Sequence, residues 1–210
     1  MRWELAQWFE IRWWQGYLKD RDKEEYLSWK RNYWSTFLAS IEVETGPSYA
    51  VLDAGCGPAG IFTFLQADSV WAIDPLLMSY EQRLPQFSRS DYPHVHFEEI
   101  AVESLQASER FDQVFCLNVI NHVADIERAY DALVEGLKVG GTLVLSIDSH
   151  NTQFFRWLFR LVPLDILHPY QYSLQEYETA LRSRGVDIHR VKRVKSGILF
   201  DYYAIVGTKK

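Results

Sequence analysis

Cysteine is nearly missing from this chain: Cys56 and Cys116 are the only two among 210 residues. Two isolated thiols make neither a disulfide framework nor a CxxC metal pair, so a reducing compartment is the default and no metal site is expected. Long apolar runs are missing too. No stretch approaches the roughly 20 residues that span a bilayer, and the N-terminal MRWELAQWFEIRWW interrupts its apolar residues with Glu4, Gln7, Glu10 and Arg12 before a signal-peptide core can form. A soluble, cytoplasmic protein is the expectation. Positive charge is scarce as well, the net charge being −6. Acidic and basic residues number 8 and 7 in 1–46, 15 and 5 in 47–150, and 5 and 10 in 151–210. The acidic middle tracks phosphates poorly, which argues against nucleic acid as the main partner. The basic tail rests on Arg190, Lys192, Arg193 and Lys195 and reads as the solvated face of a surface strand.

Aromatic residues, by contrast, are plentiful: 12 Phe, 12 Tyr and 8 Trp. Six of the tryptophans (Trp3, Trp8, Trp13, Trp14, Trp29, Trp34) fall in the first 34 residues. There, apolar positions recur at helical spacing over 3–18 and 23–41, which predicts two helices broken at Lys19-Asp20-Arg21-Asp22. Gly46-Pro47-Ser48 punctuates the chain, dividing an N-terminal aromatic extension (1–46) from a larger unit (47–210). Short apolar runs then alternate with helical patterns. YAVLDAG leads to a helix from about Pro58, VWAID to a helix over Leu76–Phe87, then come HVHF and FDQVFCLNV, a helix over Asp125–Leu137, and GTLVLSID. Such alternation means βαβ units and a mostly parallel sheet covered on both faces. An insertion over 149–172 carries the apolar FFRWLFRLVPLDIL, followed by a helix over Leu174–Ser183 and two strands close enough to form an antiparallel hairpin.

Gly55-Cys56-Gly57-Pro58-Ala59-Gly60 matches GxGxxG between a strand and a helix, a weak signal by itself. Asp53 sharpens it. A carboxylate two residues before the first glycine repels a pyrophosphate, and Pro58 removes one N–H that a phosphate would use, so a cationic ligand is the better match and a nicotinamide-dependent oxidoreductase is disfavoured. Asp74, 21 residues on, stands where an acid accepts ribose hydroxyls. Helix capping is the plainer role for either acid. Two of them at adjacent strand ends beside a glycine loop point instead to a ribosylated cation, S-adenosylmethionine.

VLDAGCGPAG with AIDP, FDQVFCLNVINHV and LKVGGTLVLSI resembles the class I S-adenosylmethionine-dependent methyltransferases, most of all the small-molecule group of ubiquinone and menaquinone biosynthesis. The resemblance covers 47–148 well and 168–208 loosely, and leaves 1–46 unexplained. It implies an α/β, Rossmann-like, doubly wound sheet of seven strands, the last antiparallel. It also implies that Asp53 and Gly55 stand at the methionine end of the cofactor, that Gly57 allows close backbone approach, and that Asp74 stands at the ribose, Pro75 and Leu76 against the adenine, and Asn118 near the methionyl group. Where the family has an acid after its third strand, this sequence has Ala101, which leaves the backbone at Ala101-Val102, Glu103 and Glu99 as candidate adenine readers.

Methyl transfer from a sulfonium is an in-line displacement, so alignment and desolvation carry most of the catalysis. Should a base be needed, the candidates are His168, otherwise a turn residue before Pro169, and His122, which recurs in the family whatever the acceptor. The loop after FDQVFCLNV lacks the Asn/Asp-Pro-Pro-aromatic signature of enzymes that methylate planar nitrogens. The two aromatic segments, through Trp8, Trp14 and Trp157, are expected to form a lid over a small apolar or aromatic acceptor, although singly each residue could simply be packed against the sheet. Residues 154–167 also suit shallow membrane contact, with Arg156 and Arg160 at headgroup level. A fold member without activity, serving as a partner subunit through its aromatic N-terminus, is the competing reading; the sequence leaves the oligomeric state open.

Overall fold

The computed structural model describes residues 2–150, 172–196 and 200–210. The chain opens with α1 (Arg2–Leu18) and α2 (Lys23–Ile41), followed by β1 (Ala50–Ala54), β2 (Ser69–Ile73), α3 (Leu77–Arg83), β3 (Val95–Glu98) and β4 (Phe111–Leu117). Then come α4 (Ile126–Gly136), β5 (Leu137–His150), α5 (Leu174–Arg182), β6 (Val186–Ser196) and β7 (Phe200–Lys209). Seven strands form one sheet in the order β3-β2-β1-β4-β5-β7-β6. Only β7 runs against its neighbours, β5 and β6. The doubly wound, mostly parallel sheet is therefore as expected.

Alternation along the strands assigns side chains to two apolar layers. Val51, Val70, Ala72, Phe115, Val144 and Val206 pack with α1, α2 and α3. Leu52, Ile73, Val114, Cys116, Leu143 and Ile205 pack with α4 and α5. The N-terminal helices thus share a core with the sheet. Asp22 starts α2 by accepting the Glu25 N–H at 3.0 Å, and Tyr26, Leu27, Trp34, Phe37, Leu38 and Ile41 bury its inner face. At its other end Arg190 and Lys192 of β6 donate to the carbonyls of Ile41 and Ser40. These basic residues do more than face solvent: they satisfy the carbonyl end of a helix, where cations are favoured.

One expected element does not form. In place of a helix from Pro58 the chain makes two short 3-10 turns, Gly57–Ala59 and Ile61–Thr63. Gly60 is extended between them, and the Phe62 N–H is taken by the Asp53 carboxylate, so an i to i−4 ladder cannot propagate. α2 covers the gap, its Trp34 indole donating to the Ala59 carbonyl at 3.2 Å.

Candidate active site

The carboxyl ends of β1, β2 and β4 converge on the glycine loop. Gly55 has φ +71, and a Cβ there would lie 2.3 Å from a Val119 methyl, so no side chain fits. The N–H groups of Gly55 and Cys56 both donate to the Ile73 carbonyl, at 2.8 and 3.0 Å, tying the loop to the end of β2. Gly57, at φ +57, donates to Asp74 at 2.9 Å, and the Leu76 N–H meets the other Asp74 oxygen at 2.8 Å. Asp53 accepts from Phe62 at 3.0 Å.

Both acids thus perform the local capping of the plainer reading, and capping does not account for their charge. Asp53 and Asp74 are 2% and 6% exposed. Burial raises the Asp53 carboxyl to about 7 against the bond from Phe62 and the Lys30 cation. Burial, then the neighbouring Glu10 carboxylate, raises Asp74 to about 7 as well. Among the described residues no cation forms an ion pair with Asp74. The crevice holds costly negative charge for which the loop amides compensate only in part.

The cover over this crevice was only partly legible. Trp14 of α1 lies against Gly57, its ring 3.9 Å from where a Cβ would stand. One turn earlier Glu10 accepts the Tyr80 hydroxyl at 2.9 Å and a bond from the Trp14 side chain; burial raises its carboxyl. Lys30 of α2 sits over the Trp34 ring at 4.5 Å, with Tyr33 and Trp29 further out, and burial lowers its ammonium to about 8 while Asp53 holds it up. Reading the sequence for apolar periodicity missed Glu10, Lys30 and Tyr80. A signal for the first two existed, since each puts a charge on the inward side of an aromatic helix.

Trp8, in contrast, is 47% exposed and packs with Phe9 and Arg12, so the structure separates it from Trp14. Asn118 takes the left-handed conformation, φ 61, and its N–H donates to the Ser146 hydroxyl at 2.9 Å. That hydroxyl bonds Tyr202, which in turn bonds Tyr33 of α2. His122 lies partly buried in the turn after β4, its N–H donating to the Val119 carbonyl at 2.8 Å. Pro75 is partly buried and Leu76 buried beside Asp74; Ala101 is partly buried and Val102 buried after β3. Glu99 and Glu103, the alternative adenine readers, accept the N–H groups of Met78 and Ala124. Trp157, His168 and the segment 154–167 lie outside the described residues. Cavities of about 550 Å³, against Arg31 and Pro47, and about 240 Å³, against Tyr49 and Gly140, open at the opposite, amino ends of the strands. Among the described residues no helix is long and apolar enough to cross a membrane.

A family profile described as a methyltransferase domain matches residues 52–143. The chain is 26% identical over 220 residues to the ubiquinone biosynthesis O-methyltransferase of Paracidovorax citrulli, covering 97% of this chain and 89% of that one. To the enzyme of that name from Rickettsia felis it is 33% identical over 98 residues, 46% of this chain and 40% of the other. Among solved structures, geranyl diphosphate C-methyltransferase from Streptomyces coelicolor superposes with a TM-score of 0.66 at 16% identity, covering 85% of this chain and 78% of that one. The 1,6-didemethyltoxoflavin N1-methyltransferase of Burkholderia thailandensis gives 0.61 at 18% identity, covering 99% and 89%. At such identities the two structures speak for the fold.

Proposed function

We propose that the chain, a class I S-adenosylmethionine-dependent methyltransferase by its fold and its domain match, methylates an oxygen of a small, largely apolar aromatic acceptor. The observation that carries the cofactor's placement is the pair of buried carboxylates tied to one glycine loop, with Lys30 opposite Asp53. S-adenosylmethionine suits that charge pattern: a zwitterionic amino acid end for Asp53 and Lys30, a sulfonium for an acid-lined crevice, and a ribose diol for Asp74. When bound, the group supplies an electrophilic methyl on sulfur. The protein's part is to hold and dry the crevice.

Gly55 and Gly57 allow close backbone approach, Asn118 presents polar groups near the methionyl end, and Pro75 and Leu76 flank the adenine. With Glu99 and Glu103 already tied to backbone amides, the backbone at Ala101-Val102 is the favoured adenine reader. His122 and His168 remain the candidate bases for an acceptor hydroxyl. The O-methyltransferase activity named for the curated relatives supports oxygen as the nucleophile. The aromatic surplus supports an apolar acceptor, for which Trp157 is a candidate contact residue. Two assays test the reading. Calorimetry should show S-adenosylhomocysteine binding in the micromolar range, and labelled methyl should pass from S-adenosylmethionine to a catechol. Tighter binding of NADH than of S-adenosylhomocysteine would sink the cofactor assignment; transfer to amines but to no hydroxylated aromatic would sink the acceptor class.

A further inference from the structure

We propose that Glu10 is a cofactor-binding residue: with α1 seated over the adenosyl group, its carboxylate accepts one ribose hydroxyl while Asp74 accepts the other. The inference rests on the cofactor reading above and extends it to a helix that the family resemblance does not reach. α1 fastens its inner side to the core through Ile11 and Leu18, 3% and 1% exposed. Glu10 and Trp14 lie on the part of the helix that meets α3 and the glycine loop.

A packing role does not explain a carboxylate at position 10. Its partners are neutral donors, the hydroxyl of fully buried Tyr80 and the Trp14 side chain, and its negative charge bears on Asp74. Two carboxylates sharing one crevice repel each other, so folding alone gains nothing from the second. A ligand with two adjacent hydroxyl donors reverses that balance. Each Asp74 oxygen already accepts one backbone N–H, so a second acceptor lets the two hydroxyls bond without crowding one carboxylate. Glu10 as a residue is only partly buried, and Tyr80 acts as a positioning residue that holds its carboxylate toward the loop.

Calorimetry on the full chain with S-adenosylhomocysteine and with its 2′,3′-dideoxy analogue tests this. Glu10→Gln is expected to weaken S-adenosylhomocysteine five- to tenfold and the dideoxy analogue less than twofold. Tyr80→Phe should weaken S-adenosylhomocysteine two- to fivefold in the native background and add nothing in Glu10→Gln; if Glu10→Gln fails to fold, Tyr80→Phe with the two ligands decides alone. A Glu10→Gln affinity within twofold of native, or equal losses for both ligands, overturns the assignment. Native protein that folds and binds no S-adenosylhomocysteine overturns the cofactor reading itself, whereas native binding with an unaffected Glu10→Gln overturns only the role of Glu10.

Discussion

The two faces of the sheet are covered by helices of different character. On one face α4 and α5 do what amphipathic helices ordinarily do. Asp125 caps α4, a capping box of Ser173 and Glu176 starts α5, and the inward residues are apolar or neutral, such as Leu133, Tyr130, Tyr177 and Leu181. On the other face α1 and α2 bury aromatic side chains just as densely, yet they carry Glu10 and Lys30 inward, next to Asp74 and Asp53. A charge placed in an apolar cover weakens the cover. Among the described helices that cover the sheet, such an inward charge stands over the glycine loop and not on α4 or α5, which separates a site from a wall.

The largest effect expected from breaking this contrast is that of Asp74→Ala, which should weaken S-adenosylhomocysteine more than tenfold, about 1.4 kcal/mol or more, in calorimetry. Asp53→Ala should do the same, and changes below twofold in both would remove the acids from the binding face. Next comes pH. Asp53 and Asp74 rise from 3.8 to about 7 in the folded protein, so between those values the folded state keeps protons that the unfolded chain has released. Their contribution to stability is full below about pH 4 and is lost as pH rises through 7. Ligand-free melting temperature should therefore fall from pH 5 to 8, while affinity for S-adenosylhomocysteine, which uses ionised Asp74, should rise five- to tenfold from pH 6 to 8. An Asp74→Asn variant should flatten the affinity trend and reduce the melting trend to the part that Asp53 contributes.

A smaller effect sharpens the contrast within α1. Trp14→Ala should weaken S-adenosylhomocysteine two- to fivefold, because its ring lies on Gly57, whereas Trp8→Ala should leave the affinity unchanged. Equal losses would mean that the helix acts as a whole. Sequence reasoning assigned both tryptophans to the acceptor alone, and the contact with Gly57 changes that expectation for Trp14. On the plain face, Tyr177→Phe removes the hydroxyl bonded to buried Asn121 at 3.2 Å. It should cost about 1–2 kcal/mol, a few degrees in melting temperature, with no change in affinity beyond experimental error. Loss of binding there would erase the distinction between the faces.

Much of this was legible in the residues. The two N-terminal helices appear within a residue of their expected bounds, because Tyr26, Trp34, Phe37 and Ile41 repeat at helical spacing and Asp22 is a good cap. The failed helix after Pro58 shows the limit. Its local pattern was acceptable, and Asp53, nine residues earlier, took the Phe62 N–H that the helix needed. Similarly, Arg190 and Lys192 looked like a solvated strand face because their partners, the carbonyls of Ile41 and Ser40, lie some 150 residues away in the chain.

Taken alone, the sequence determined the alternation of strands and helices, the glycine loop, and the two acids at the ends of β1 and β2. Each of these depends on neighbours within a few residues, where backbone preference and apolar period are written directly. Only the tertiary structure decided that Trp14 and not Trp8 meets the loop, that Glu10 accepts from Tyr80, 70 residues away in sequence, and bears on Asp74, and that Lys30 bears on Asp53. Helical spacing says which side of α1 and α2 is apolar. Which part of that side lies over the loop is set by packing against a sheet formed from the rest of the chain.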